Sequence, residues 1–126
     1  MNKQNNKSFD LEERTARFGE NTVTICRKIQ SDAVTNPLIN QLVRSSTSVG
    51  ANYCEANAAS SRKDFKNKIH ICKKEAQETK HWIRMLSHAA PQIRTEARLL
   101  WKECQELTLI FGKILSTLKN SQLNQN

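Results

Sequence analysis

Phe65-Lys-Asn-Lys-Ile69-His-Ile-Cys72-Lys-Lys-Glu-Ala76-Gln-Glu-Thr79-Lys-His-Trp-Ile83-Arg-Met-Leu86 places an apolar or small residue at every fourth or third position without a skip. That alternating spacing puts the seven side chains along one seam of an α-helix and fits no strand, whose faces repeat every second residue. Just upstream, Ser61-Arg-Lys-Asp64 reads as a helix start, a capping box with Asp in place of the preferred Glu. Downstream, Ala89-Ala90-Pro91 ends the helix, because proline lacks the donor and disfavours helical backbone in the residue before it.

The pattern continues on both sides. Ile93, Ala97, Leu100, Cys104, Leu107, Phe111, Ile114 and Leu118 form a second unbroken seam. Before residue 61, Asn36-Pro37 offers a cap residue followed by the proline suited to a first helical position, and Leu38, Leu42, Ser45, Val49 and Tyr53 follow it. Leu11, Thr15, Phe18, Thr22, Ile25 and Ile29 make the earliest seam, with Asp10 as its expected cap. Four amphipathic helices of about 17 to 28 residues joined by short loops predict an all-α fold, an antiparallel up-down-up-down four-helix bundle. The expected organisation is a flexible N-terminus at 1–9, one bundle domain at 10–119 and a polar, flexible C-terminal tail at 120–126.

Composition agrees. Three Gly and two Pro in 126 residues fall well below ordinary usage of about 7% and 5%, which leaves too few turns for an all-β fold. The longest uncharged stretches, Ala33 to Val43 and Ser45 to Cys54, are shorter than the roughly 20 apolar residues that a membrane span requires. The lysines of the N-terminus have no apolar run behind them, so no secretory signal is expected. Cys26, Cys54, Cys72 and Cys104 form no C-x-x-C pair and are expected to be free thiols in the core of a cytoplasmic protein.

The net charge of +8 is unevenly spread. Between residues 61 and 86, Arg62, Lys63, Lys66, Lys68, Lys73, Lys74, Lys80 and Arg84 face only Asp64, Glu75 and Glu78. Lys63, Lys66, His70, Lys73, Gln77, Lys80 and Arg84 recur one position after the apolar seam, a basic ridge about 30 Å long flanking the buried face. Solvated helix faces usually mix signs, as Glu12, Glu13, Arg14, Arg17 and Glu20 do, so the ridge points to polyanion binding. No aromatic residue interleaves with it along the helix, which favours contact with backbone phosphates over sequence readout.

The opposite flank of the same helix carries Glu75, Glu78 and Trp82, and the preceding helix offers Arg44, Ser48, Asn52 and Glu55 at matching spacing. Gly50 and Ala51 are expected to let these two helices approach closely. The polar residues predict a network that fixes register, pairing Arg44 with Glu75 or Glu78 and using Asn52 as a bridge to backbone or carboxylate.

Catalytic and metal chemistry find little support. Glu78-Thr-Lys-His81 is an E-x-x-H, the pattern that di-iron bundles carry on two helices, but it occurs once. His70 and His88 have no partner at triad-like positions and read as surface residues. Ser45, Ser46, Thr47 and Ser48 suit a helix crossing, and phosphate loops and G-x-S-x-G are absent. The chain is therefore expected to be non-enzymatic, with no cofactor, no metal and no membrane partner. Leu99, Trp101, Leu109, Ile110 and Leu115 lie off the last seam and predict a homo-oligomer or a docked protein partner.

The stretch Gln41-Leu-Val-Arg44-Ser-Ser-Thr-Ser48-Val-Gly-Ala-Asn52-Tyr-Cys-Glu55-Ala, with Ser61-Arg-Lys-Asp64-Phe65 and Ile71-Cys-Lys-Lys-Glu75-Ala-Gln-Glu78-Thr-Lys-His-Trp82, resembles a bacterial four-helix-bundle family encoded in intervening sequences of large-subunit ribosomal RNA genes. More distantly it is similar to the accessory variability determinant proteins of diversity-generating retroelements. The resemblance runs from about Phe18 to Leu118, with Gly50 where a larger residue is expected. It implies a ring-like homopentamer with a basic surface that binds nucleic acid and has no known enzymatic activity, and it marks Arg44, Ser48, Asn52, Glu55, Glu75 and Glu78 as shared structural polar residues. The retroelement relatives bind a reverse transcriptase and its RNA.

The expected function is thus a self-associating nucleic-acid-binding bundle, RNA or DNA, acting through Lys63, Lys66, His70, Lys73, Lys80 and Arg84. The alternatives are a protein-interaction scaffold and, more remotely, a metal-dependent bundle enzyme.

Overall fold

Three short breaks divide the chain into four α-helices in a computed structural model that describes residues 7–124, with side chains over 11–121. They are α1 (Lys7–Arg27), α2 (Thr35–Asn57), α3 (Arg62–Ala89) and α4 (Arg94–Asn124). Among the described residues none has a positive φ, so no helix ends on the left-handed glycine that commonly stops one. Backbone N–H groups of Lys28, Ile29 and Ala58 close the last turns of α1 and α2 instead, and Pro91 follows the end of α3.

At the α1–α2 reversal, Asp32 and Thr35 cap reciprocally. The Asp32 carboxylate accepts from the backbone N–H of Val34 (2.9 Å) and Thr35 (2.7 Å), while the Thr35 hydroxyl oxygen accepts from the Asp32 N–H (3.0 Å). The Asp32 carbonyl already accepts from the Asn36 N–H at 3.0 Å. The cap is therefore Asp32, not Asn36, and Pro37 falls within the first turn of α2. The start of α1 also differs from expectation, since the helix runs through Asp10 from Lys7. At α3 the Ser61 hydroxyl oxygen accepts from the Asp64 N–H at 3.0 Å, as the capping box predicts. Ala90 is extended ahead of Pro91, and a single 3-10 turn, Pro91–Ile93, leads into α4. That helix continues to Asn124, past the boundary expected at 120. Residues 1–6 and 125–126, the ends of the expected flexible termini, lie outside the described residues.

Contacts between helices run in opposite chain directions at every neighbouring pair. Thr15 lies against Gly50 and Gly19 against Thr47. Arg44 meets Glu78, Val49 meets Cys72, and Glu55 meets Lys68. Ala76 meets Cys104 and Arg62 meets Leu118. Lys28 meets Glu96 and Arg14 meets Glu103, which closes α4 back onto α1. The fold is an all-α four-helix bundle with consecutive helices antiparallel, and no helix among the described residues is long and apolar enough to cross a membrane.

The predicted seams meet in one core. Ile69, Cys72, Ala76, Thr79, Ile83 and Leu86 of α3 and Cys104, Leu107 and Phe111 of α4 are buried, together with Phe18, Leu42 and Val49. Leu38, Phe65, Ile114 and Leu118, at the ends of their seams, are only half-buried. Polar groups enter the core where their helix can satisfy them: the hydroxyls of Thr22 and Thr79 donate to the carbonyls of Phe18 (2.9 Å) and Glu75 (2.7 Å) one turn back. No buried side-chain nitrogen or oxygen among the described residues lacks a partner.

Two expectations are corrected by packing. A Cβ on Gly50 would stand 3.3 Å from the Thr15 carbonyl oxygen, so this glycine admits α1 rather than α3, and Ala51 is exposed. Cys26, Cys72 and Cys104 are buried as expected, but Cys54 is exposed, its Sγ 3.6 Å from a Glu12 carboxylate oxygen.

Candidate nucleic-acid interface

The basic ridge lies along the groove between α3 and α4. Lys63, His70, Gln77 and Arg84 are exposed, whereas Lys66, Lys73 and Lys80 are half-buried. Lysines bury their alkyl stems against a neighbouring helix while keeping the ammonium at the surface. The Lys80 ammonium donates to the side-chain amide oxygen Oε1 of Gln105 on α4 at 2.5 Å and stands 5.5 Å from the Trp101 ring centroid. The Lys73 ammonium passes over Gly112, 3.8 Å from where a Cβ would stand.

Beyond Arg84 the ridge opens into a groove of about 700 Å³ between the end of α3 and the start of α4. Its floor includes the buried Ile83 and Ala97, and Trp101 forms part of its wall. Arg84, Arg94, Arg98 and Lys102 supply its charge, His88 adds an imidazole, and none of its lining residues is acidic. The Arg94 Nε donates to the Ser87 carbonyl oxygen at 3.2 Å, tying the start of α4 to the end of α3 in the groove wall.

All carboxylates of these two helices but Asp64 pair with a cation outside them. On α4, Glu103 accepts both nitrogens of an Arg14 fork at 2.7 Å, Glu106 lies 3.4 Å from Arg14, and Glu96 accepts from Lys28 at 2.9 Å. The Lys28 ammonium holds the Glu96 carboxyl below its usual range. On α3, Glu75 and Glu78 face Arg44 of α2. Acids thus turn toward α1 and α2, and the α3–α4 face keeps the cations.

Of the polar residues expected to join α2 and α3, Arg44 and Glu55 reach across. Arg44 donates to Glu75 at 3.2 Å and also to Glu78, and the Trp82 indole N–H donates to Glu78 at 2.9 Å. The indole N–H, with Arg44 beside it, holds the Glu78 carboxyl below its usual range. Glu55 pairs with Lys68 of α3 at 2.7 Å. Asn52 does not cross to α3. Its amide donates to the Ser48 carbonyl and hydroxyl oxygens, both at 2.9 Å, one turn back in its own helix. The direct tie between hydroxyls is instead Thr79 to Ser45, buried at 2.8 Å.

Nucleophilic and metal chemistry have little to work with. Burial pushes the thiols of Cys72 and Cys104 up to about 12 and that of Cys26 to about 11, which keeps them protonated at neutral pH. Glu78 is occupied by Arg44 and Trp82, His81 packs edge-on against Trp82, and no three His, Cys, Asp or Glu side chains converge among the described residues.

Arg94, Arg98 and Lys102 escape a reading confined to one helix at a time, and Trp101, expected at an oligomer or partner contact, lines the basic groove with them. The spacing carries the signal: 94, 98, 101 and 105 share a face of α4, with Lys102 beside it, opposite to the side that presents Glu96 and Glu103 to α1. The aromatic residue missing from the α3 ridge is delivered by α4.

A family model described as 23S rRNA-intervening sequence protein matches residues 7–113. A crystal structure of a protein of unknown function from the S23 ribosomal protein family of Bacteroides thetaiotaomicron is 30% identical, with a TM-score of 0.74 over 83% of this chain and 97% of that one. Neither description names a reaction. Among curated proteins none matches the sequence.

Proposed function

The chain belongs to the 23S rRNA-intervening sequence protein family, and from that premise we propose that it is a non-enzymatic, self-associating cytoplasmic bundle that binds RNA or DNA through backbone phosphates. The observation that carries this reading is the segregation of charge. With Glu75 and Glu78 of α3 and Glu96, Glu103 and Glu106 of α4 paired to Arg44, Lys28 and Arg14, the α3–α4 face presents Lys63, Lys66, His70, Lys73, Lys80 and Arg84, continued by Arg94, Arg98 and Lys102. A strip of cations unopposed by acids binds a polyanion by releasing its counterions, with little demand on sequence.

Self-association supplies avidity that one strip lacks. Leu99 and Leu109 of α4 are 64% and 62% exposed, and Ile110, Ile114 and Leu118 line an apolar groove of about 350 Å³ on the same helix. We assign this surface to contacts between copies, in the homopentamer that the family resemblance implies. The same surface supports a second reading, a scaffold that docks a protein partner there.

The test is a titration of RNA and DNA at two salt concentrations, with Arg84→Glu and Arg98→Glu in parallel and the solution mass measured on the same samples. Weaker binding and a shallower salt dependence in the variants are expected. Unchanged affinity and slope remove the strip from the interface, and a monomeric mass removes the assembly.

A further inference from the structure

We propose that the groove between the end of α3 and the start of α4 holds one unpaired nucleotide of a single-stranded nucleic acid, its base against Trp101 and its phosphates on Arg84, Arg94 and Arg98. The proposal rests on the nucleic-acid reading above and gives that surface a specificity for strandedness.

A strip that met phosphates alone would need charge on a plain helix surface. This end of the strip differs in kind. It is a concavity of about 700 Å³ with an apolar floor at Ile83 and Ala97, within the size range of about 300–1,000 Å³ that small ligands occupy. Trp101 is 40% exposed in its wall. The Lys80 ammonium holds the indole from outside the groove, since Lys80 is not among the lining residues. An exposed indole in a cationic cleft is a stacking platform, and every nucleobase offers a flat face to it.

The charges around the platform suit phosphate. Arg94 is fixed through Nε at the Ser87 carbonyl, and its terminal nitrogens make no hydrogen bond to the described residues, leaving the planar pair that grips an oxyanion in two places. Arg84 and Arg98 flank it, and no acidic residue lines the groove to oppose the ligand. A duplex keeps its bases stacked inside and presents only its sugar-phosphate surface, so it gains nothing from the apolar floor. A single strand can turn a base inward at the cost of local unstacking.

The experiment measures binding of a labelled 12-nucleotide single-stranded RNA and of the blunt duplex of the same sequence to the full chain, wild type, Trp101→Leu and Trp101→Phe. Stacking worth about 1–3 kcal/mol per base corresponds to a loss of single-strand affinity of roughly 5- to 150-fold in Trp101→Leu, with duplex affinity and its salt slope unchanged. Trp101→Phe, which keeps an aromatic face, is expected to restore most of the loss. Equal single-strand affinity in Trp101→Leu overturns the proposal, as does a loss shared equally by single strand and duplex. Polyglutamate competing as well as the RNA overturns it in favour of an acidic peptide. If wild type binds neither nucleic acid at low salt, the underlying nucleic-acid reading fails instead.

Discussion

The Lys80 ammonium of α3 stands 5.5 Å from the ring centroid of Trp101 of α4, although neither residue belongs to an apolar seam. The antiparallel pairing of the two helices brings them together and holds the Lys80 stem half-buried between them. A basic ridge that carries no Phe, Trp or Tyr along its own helix therefore acquires an aromatic side chain from the next. Such a contact contributes about 0.5–1 kcal/mol at an exposed site.

Arg44 ties α2 to α3 through Glu75 and Glu78. Its own side chain is 47% exposed, which places the pairing at about 1 kcal/mol once solvent screening is allowed for. Arg44→Ala is expected to lower the unfolding free energy by about that amount in a urea titration. Glu75, only 14% exposed, then loses its cation, so Arg44→Ala combined with Glu75→Gln should cost less than the two single changes added. Strict additivity would show that the two side chains do not interact.

Acid should loosen the bundle through Asp32 and Glu78. Backbone N–H donation from Thr35 and Val34 lowers the Asp32 carboxyl below its ordinary 3.8, and the Trp82 indole lowers Glu78 below its ordinary 4.5. A depressed folded value means that the stabilisation is complete above the ordinary value and is lost as pH falls through the lower one. The thermal midpoint should hold steady from neutral pH down to about 5 and decline below it. In Asp32→Asn that decline should be shallower, and an identical profile would contradict the role given to the cap.

Two glycines should respond in opposite ways. At Gly50 any added side chain meets the Thr15 backbone carbonyl, 3.3 Å from the Cβ position, so Gly50→Ile is expected to cost about 1–3 kcal/mol through overpacking. At Gly112 a Cβ meets only the flexible end of Lys73, 3.8 Å away. Gly112→Ala should therefore stabilise α4 by about 0.5–1 kcal/mol, the ordinary helix preference of alanine over glycine. Denaturant midpoints of the two variants, moving in opposite directions, check this.

Alkylation separates the cysteines. Cys54 is the exposed thiol, whereas Cys26, Cys72 and Cys104 are enclosed and held protonated by burial. Native protein treated with iodoacetamide at neutral pH should gain a single label at Cys54, slowly, because burial and Glu12 raise that thiol too. Denatured protein should gain all four. Rapid native labelling at Cys104 would show that the core opens near the α3–α4 contact.

The bundle was legible in the spacing because burial follows the helical period directly, from Phe18 to Phe111. Local chemistry was less so. Asn36-Pro37 has the composition of a helix start, yet Asp32 can share two hydrogen bonds with Thr35 and so begins the turn earlier. Gly50 was assigned to the wrong neighbour because a glycine shows where backbones approach but not from which side. Arg44 with Glu75 and Glu78 could be paired in advance, since complementary charges at matching spacing define a face. The Trp101 groove could not, because its walls come from two helices whose relative rotation is set by packing in the core.

The turning of carboxylates toward α1 and α2 also gives the bundle an electric dipole across its short axis. A molecule so polarised is rotated by the field of a distant polyanion before the two surfaces touch, so more encounters begin in the productive orientation. Loss of Arg98 or Arg84 should consequently slow arrival as well as shorten residence, and raising salt should flatten the difference in association rate between variant and wild type.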